Sequence, residues 1–427
     1  MINFRSVRPE PKIIRTFDIP DVSTSKLKTG HPVYIQKTED IGVVRIEFFW
    51  GKSKLHQKKS FVATLAADML FSGNAKRNEE EIIKKLDYLG ASYQTDTTLF
   101  GTSLVLRCQK KFTKDVVDWV IENTVSVEYP EELVQNQCMI RKASLDRQQQ
   151  TPKYWSNRIS MEKLYGEEHP LAKFGEMEDY DLISSADLKE FHSQYMGYQD
   201  CMILFSGDVD DSIVEVIEDQ LSNFGYGKFE IIENQDVHPL AISDTLIKKK
   251  IANTSQASLQ LISHVSPESM RERHTLTVLN LILGGYFGSR LMQELREKQG
   301  LTYGIGSYFK SAFNDFTWII SGELNAANGE KSIENIHQIF EDLKFNLVTD
   351  EELQKVKQYY SGIYRSGFDG PFAMGSKVQQ ILIKRLPSDY YTTVLPTIWS
   401  VTAEEILEVA NKYLNVPLFH HVIAGEV

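Results

Sequence analysis

The stretch ISSADLKEFHSQYMGYQDCMILFSGDV, residues 183–209, returns in altered form as VTAEEILEVANKYLNVPLFHHVIAGEV, residues 401–427. The two stretches start 218 residues apart and align without a gap, with Ser184 opposite Thr402 and Gly207 opposite Gly425. Each copy begins with a residue that favours a helix N-cap, continues with apolar residues at helical spacing, and ends in a short apolar strand. This repetition predicts that the chain contains two copies of one domain.

A second, shorter repetition supports the duplication, because GASY at 90–93 returns as GLTY at 300–303 in the same order along the chain. In each half, helical segments alternate with strand-like segments, which is typical of antiparallel sheets packed against helices. We therefore predict an α+β fold of two tandem homologous domains, residues 1–235 and 236–427, each an antiparallel sheet packed with helices. The boundary is placed there because 225–245 lacks periodicity and contains Gly and Pro.

Composition and charge narrow the class of protein. The chain has 427 residues, a net charge of −11 and a sequence pI near 5.5, which argues against nucleic acid as a partner. The three cysteines lie far apart, so neither a disulfide framework nor a Cys-x-x-Cys metal site is predicted. The sequence contains no signal-like apolar run and no apolar stretch long enough to span a membrane. We expect a cytoplasmic protein without membrane association, and a periplasmic location stays open.

Five segments resemble the M16 peptidases, the family of pitrilysin, insulin-degrading enzyme and mitochondrial processing peptidase. They are ADMLFSGN (67–74), LDYLGASYQTDT (86–97), HPLAKFGEMEDYDLISSADLKEFHSQYM (169–196), FSGDVD (205–210) and LGGYFGSRLMQELREKQGLTYGIGSYF (283–309). The resemblance covers nearly the whole chain. It implies two domains of the LuxS/MPP-like metallohydrolase type.

The residues that make M16 proteins enzymes are replaced in this sequence. The family has an inverted zinc motif, His-x-x-Glu-His, directly before the Met-Leu-Phe segment, in which the histidines bind the metal and the glutamate is the base. The resemblance puts the two histidine positions on Thr64 and Asp68 and the glutamate position on Ala67. It puts a third ligand, a glutamate in the family, on Ser144. Because tight zinc binding needs at least three ligands, we predict that these positions bind no metal.

No other residues in the sequence suggest a metal site. His420 and His421 are neighbours in a predicted strand, so their side chains point to opposite faces and cannot share one ion. The other eight histidines are scattered along the chain. We therefore predict no cofactor in this chain and expect zinc in a partner subunit. Asp68 is then a solvated or capping carboxylate at a helix end.

A second site is predicted in the later half, in LREKQGLTYG (295–304). The resemblance implies that Arg296 and Tyr303 face the scissile peptide, where a guanidinium and a phenol can donate hydrogen bonds to the carbonyl and to the forming oxyanion. The alternative is a packed Tyr303 and an Arg296 paired with Glu294 or Glu297. Neither glutamate is at the spacing of neighbours on a helix face.

The segment LGGYFGSR (283–290) is rich in glycine. Its spacing matches neither a dinucleotide-binding fingerprint nor a P-loop. The resemblance places it where the non-catalytic subunit of mitochondrial processing peptidase has a loop that touches substrate, which implies substrate contact by Gly284, Gly285, Phe287 and Gly288. Tight helix packing is the alternative.

Some bacterial M16 peptidases are divided into two similar subunits, one with the zinc motif and the other with the arginine and tyrosine. The sequence resembles the second kind. We expect a non-catalytic subunit that closes like a clamshell with a homologous zinc-binding subunit and acts on peptides, with a homodimer possible in isolation. An inert M16-fold scaffold or peptide-binding protein, comparable to the core subunits of respiratory complex III, is the alternative. Hydrolysis by this chain alone is disfavoured, because no Ser/His/Asp or Cys/His set stands out.

Overall fold

The structure is a computed structural model that describes residues 15–16, 22–225, 227–231, 238–241, 246–312 and 315–426. Its strands are β1 (Val22–Lys26), β2 (Pro32–Lys37), β3 (Val43–Trp50), β4 (Ser92–Thr97), β5 (Thr102–Gln109), β6 (Cys201–Gly207), β7 (Ile247–Lys250), β8 (Gln256–Val265), β9 (Thr302–Ala312), β10 (Asp315–Asn325) and β11 (His420–Gly425). Its α-helices are α1 (Val62–Asp68), α2 (Glu79–Tyr88), α3 (Thr113–Thr124), α4 (Glu131–Gln149), α5 (Pro152–Tyr165), α6 (Ser185–Tyr195), α7 (Asp211–Leu221), α8 (Met270–Asn280), α9 (Gly329–Phe345), α10 (Asp350–Ser366), α11 (Pro371–Ile383), α12 (Tyr390–Ser400) and α13 (Ala403–Tyr413).

These elements form two compact units. The N-terminal unit contains the described residues of 22–240 and 369–386, and the C-terminal unit contains 15–16 and the described residues of 241–368 and 387–426. The sheet of the N-terminal unit has the order β1-β2-β6-β3-β5-β4, and that of the C-terminal unit has the order β7-β11-β8-β10-β9. Each sheet is antiparallel except for one parallel pair, β2 with β6 and β7 with β11. The predicted α+β class is confirmed, and the parallel pairs arise because the last strand of each unit returns beside an early one.

The two stretches that repeat in the sequence fold alike. Helices α6 and α13 span equivalent residues, and each begins with a capping box at its N-cap, Ser184 in one and Thr402 in the other. In a capping box the side chain of the N-cap and that of the third helical residue each accept a hydrogen bond from the other's backbone N–H. Strands β6 and β11 follow, and both end at a glycine with positive φ, Gly207 at 108° and Gly425 at 145°. The repeated sequence therefore encodes the same helix, turn and strand twice.

The central strands β3, β5 and β6 of the sheet of the N-terminal unit are buried on both faces. One face packs on helices through side chains such as Ile46, Phe48 and Phe205. The other face carries Arg45 and Glu47, which are also buried. Because residues two apart on a strand share a face, these two charged groups lie side by side.

Helix α11 covers the face that holds this charged pair. Its Gln379 donates a hydrogen bond to Glu47, whose partner Arg45 places Nη2 2.6 Å from the carboxylate Oε2. A Cβ atom on Gly375 would lie 2.4 Å from the hydroxyl oxygen of Ser206, so this helix approaches β6 closely only because a glycine stands there. Burial raises the pKa of the Glu47 carboxyl, and the Arg45 guanidinium opposes that shift.

Residues 369–386, which the predicted division assigns to the second domain, thus pack in the N-terminal unit. The predicted boundary after residue 235 falls within 232–237, outside the described residues, and stays a prediction. Within the described ranges, no helix combines the length and the apolar content that a bilayer crossing requires.

Two buried histidines predict how stability changes with pH. Burial lowers the pKa of His192 in the N-terminal unit and of His274 in the C-terminal unit to about 4, from 6.5. As pH falls below 6.5 the unfolded chain takes up protons on these residues before the folded chain does, so the folded state loses stability. We expect each histidine to cost roughly 3 kcal/mol of unfolding free energy between pH 7 and pH 4.

Urea denaturation at pH 7, 5.5 and 4.5 measures this loss. The His192→Gln and His274→Gln variants are each expected to show a shallower decline than the wild type, because each removes one titrating group. Parallel declines in wild type and both variants would contradict the assignment.

Candidate functional site

Helix α1 carries Thr64, Ala67 and Asp68, the three residues that the sequence motif predicts to stand in the degenerate zinc positions. Its residues Thr64 and Asp68 lie one turn apart on one side, where Thr64 is half-buried and Asp68 is exposed. Ala67, in the position of the base, is buried and contributes only a methyl group. The helix therefore keeps the spacing that two metal-binding histidines use, but carries different side chains.

An arginine lies beside this helix. Arg141 of α4 places Nη2 2.6 Å from the Asp68 carboxylate, which also accepts a hydrogen bond from the Thr95 hydroxyl of β4 at 3.2 Å. The side chains of Arg141 and Asp68 are 44% and 30% exposed, so the ion pair contributes on the order of 1 kcal/mol or less. The cation beside α1 is therefore the guanidinium of Arg141.

The third degenerate position, Ser144, lies on α4 one turn after Arg141 and is half-buried. The resemblance implies a ligand carboxylate at the Ser144 position of α4. The α4 side chain that contacts Asp68 is instead Arg141. Over the ranges that the structure describes, no three or more His, Cys, Asp or Glu side chains are grouped so as to hold a metal ion. The sequence analysis missed Arg141. The sequence signal that could have indicated this contact is that Arg141 lies one helical turn before Ser144, the predicted position of the third ligand.

In the C-terminal unit, Arg296 lies in a π-helical segment, Met292–Lys298, and Tyr303 lies at the start of β9. A turn at Gly300, with φ of 60°, joins the two elements. The guanidinium carbon of Arg296 lies 5.1 Å from the ring centroid of Phe287, and this arrangement is a cation–π contact. The fold therefore brings Arg296 together with Phe287 of the glycine-rich segment.

The predicted alternative for Arg296 is realised only in part. Glu294 accepts hydrogen bonds from Lys298 at 2.8 Å and Gln299 at 2.9 Å. Glu297 Oε1 lies 3.6 Å from Arg296 Nε, which is an ion pair but too long for a hydrogen bond. Among the described residues, the Arg296 guanidinium donates no hydrogen bond.

Tyr303 is not a packed residue, since 83% of it is exposed. The neighbouring Thr302 is held in place, because its hydroxyl donates to the carbonyl of Glu323 at 2.5 Å. The phenol of Tyr303 makes no hydrogen bond to any residue in the described part of the chain. A fixed backbone with a free, exposed phenol is suited to binding a group from outside this chain.

The four predicted contact residues of the glycine-rich segment divide into two kinds. Gly284 is buried and Gly285 half-buried at the end of a π-helical turn, Leu281–Gly285. Phe287, 60% exposed, and Gly288 face solvent. Close packing is therefore observed at Gly284, whereas Phe287 and Gly288 are exposed and their contact with substrate stays a prediction.

Replacing Gly284 by alanine is expected to destabilise the protein. A Cβ atom there would lie 2.7 Å from the backbone nitrogen of Ser307 and 2.7 Å from the Leu291 side chain. Backbone cannot move aside cheaply, so we expect a loss of about 1–3 kcal/mol from overpacking. Gly288→Ala is the matched control, because the three atoms nearest to its Cβ all belong to the side chain of Tyr286 and none to the backbone. Thermal unfolding of both variants measures the difference, and equal melting temperatures would refute the packing role of Gly284.

Residues 183–360 match the family model described as peptidase M16 inactive domain. The chain is 22% identical to an uncharacterised zinc protease, YmxG, of Bacillus subtilis, over 78% of this chain and 81% of that protein. It is 21% identical to the non-peptidase homolog YmxG of Helicobacter pylori, over 75% of this chain and 74% of that protein.

Among solved structures, a peptidase M16 inactive domain from Pseudomonas fluorescens superposes with a TM-score of 0.84 at 24% identity, covering 95% of this chain and 98% of that one. This likeness concerns the fold. With the family match in residues 183–360 and the duplicated α+β units, it confirms the resemblance predicted from the sequence motifs. The chain is therefore similar to the peptidase M16 family: residues 183–360 match the model of its inactive domain, and the chain shares the fold of a peptidase M16 inactive domain.

Proposed function

We propose that this chain is a non-catalytic M16 subunit that pairs with a zinc-binding homologue to cleave peptides. The observation that carries the proposal is an asymmetry between the two units. In the N-terminal unit, the positions of the metal ligands hold Thr64 and an Asp68 already paired with Arg141. In the C-terminal unit, Arg296 and Tyr303 keep hydrogen-bond donors that no described residue uses.

In the assembled enzyme the partner supplies zinc, the catalytic base and the attacking water. This chain supplies two donors for the scissile peptide. The guanidinium of Arg296 and the phenol of Tyr303 bind the substrate carbonyl and stabilise the negative charge that develops on its oxygen. Phe287 and Gly288 of the exposed loop contact the substrate chain beside them.

Reconstitution tests this proposal. Purified chain is mixed with the zinc-bearing M16 homologue from the same organism, and assembly is measured by analytical ultracentrifugation and cleavage by a fluorogenic unfolded peptide. A stable heterodimer with chelator-sensitive cleavage, far above that of either chain alone, is expected. Absence of both complex and cleavage would refute the proposal.

A scaffold or peptide-binding protein is the alternative outcome. It is recognised when the heterodimer forms but cleavage does not respond to changes at Arg296 and Tyr303. The rate of cleavage by variants at Arg296 and Tyr303, and not the formation of the heterodimer, therefore distinguishes an enzyme subunit from a scaffold.

A further inference from the structure

The C-terminal unit contains two histidines whose ring nitrogens face each other. His337 lies in the middle of α9 and His421 lies on β11, with their Nε2 atoms 2.9 Å apart. Their rings are inclined at 81°. Two imidazole nitrogens this close either share a proton or direct their lone pairs at one cation. Two histidines on a tetrahedral zinc, with Zn–N distances of about 2.0–2.1 Å, have nitrogens about 3.3 Å apart, so only a small outward movement is needed.

A carboxylate stands next to this pair. Glu334 precedes His337 by three residues, so α9 carries a Glu-x-x-His sequence whose two side chains lie on one helix face. Helical bundles that hold metal ions use this same spacing to present a carboxylate and an imidazole to one ion. Glu334, His337 and His421 line one cavity of about 430 Å³.

The other acidic side chains near this cavity are already engaged. Glu330, which also lines it, pairs with Lys248. Glu341, one turn after His337, accepts a hydrogen bond from Lys344 at 2.7 Å. Glu334 makes no ion pair with any described residue, and its side chain is exposed. It joins the two histidines only by swinging inward, since within the described ranges no three such side chains converge as they stand.

We propose that His337, His421 and Glu334 bind one divalent transition-metal ion of the zinc class. Two histidines and a carboxylate are ligands that zinc accepts, with water in the remaining position. The ion would tie α9 to β11 within the C-terminal unit. This site is distinct from the degenerate positions on α1, and the proposal does not depend on the proposed peptidase function.

Titration of the metal-free chain with Zn²⁺, in competition with a chromophoric chelator, tests the site. One Zn²⁺ per chain is expected. His337→Ala is expected to weaken binding at least about 10-fold, and Glu334→Gln about 3- to 10-fold, because each removes a ligand. His169→Ala, at a half-buried histidine of the N-terminal unit, is the matched control and leaves the affinity unchanged. Wild-type affinity in His337→Ala would overturn the proposal.

A second measurement needs no substitution and so does not depend on the folding of a variant. Co²⁺ replaces Zn²⁺ in sites of this ligand type and gives visible absorption bands when it is held in a tetrahedral environment of nitrogen and oxygen. The wild-type chain is expected to develop such bands at one equivalent of Co²⁺, and Zn²⁺ is expected to remove them. If the wild-type chain develops no such bands at one equivalent of Co²⁺, it carries no such site.

Discussion

Replacing Arg296 by alanine is expected to lower kcat of the assembled heterodimer about 10²–10³-fold, the usual cost of removing one donor to a developing oxyanion. The guanidinium is held beside Phe287 and makes no hydrogen bond to a described residue, so its donors are available to substrate. Because the interaction strengthens as charge develops, kcat and kcat/KM should fall together. Steady-state cleavage of a fluorogenic peptide measures both constants.

Matched controls isolate this effect. Lys298→Ala removes a cation from the same π-helical segment, but that cation is paired with Glu294, so cleavage should be retained. Tyr303→Phe should reduce kcat, whereas Tyr308→Phe, at another exposed tyrosine of β9, should not. Unchanged assembly of all variants confirms that the loss is chemical. A heterodimer in which Arg296→Ala cleaves as fast as wild type points to the scaffold.

Replacing Glu47 by alanine is expected to destabilise the N-terminal unit by about 3–5 kcal/mol, because it leaves the Arg45 guanidinium buried without its counter-charge. The side chains of Arg45 and Glu47 are 4% and 0% exposed. Gln379 of α11 loses its acceptor in the same variant. Urea denaturation at pH 7 measures the change in unfolding free energy.

The double variant Arg45→Met/Glu47→Leu should recover most of that loss, since removing both charges avoids the cost of a single buried ion. Glu128→Ala is the surface control, because Glu128 and its partner Lys189 are about half exposed, and a change within about 1 kcal/mol is expected. A Glu47→Ala variant as stable as this control would show that Arg45 reaches water in the folded state.

The sequence predicted those features that depend on local pattern. The repeat around Ser184 and Thr402 anticipated two units with equivalent helices and strands, and the structure confirms their α+β class. The motif comparison also assigned Thr64, Ala67 and Asp68 of α1 to a degenerate zinc motif, and that assignment stays a prediction. These features could be predicted because helix caps, apolar periodicity and turns depend on residues that are close in the sequence.

Features that depend on distant contacts were not predicted. Nothing in the local sequence of α11 shows that this helix lies on the sheet of the N-terminal unit. The Arg141–Asp68 pair joins residues 73 positions apart, and His337 meets His421 across 84 positions. Gly284 and Gly288 look alike in the sequence, and only packing separates the buried one from the exposed one. Such contacts exist only after the elements have been placed in space.

The position of α11 has a consequence for dividing the molecule. A fragment that ends near residue 240 contains all six strands of the first sheet but lacks 369–386, so the face with Arg45 and Glu47 is bared to water. A fragment that starts near residue 241 carries α11 without the sheet that it covers. The duplication visible in the sequence therefore does not show where the chain can be divided into stable fragments. Each half of the polypeptide is an incomplete folding unit. During synthesis, the N-terminal unit can be completed only after residues 369–386 have been made, when most of the C-terminal unit already exists.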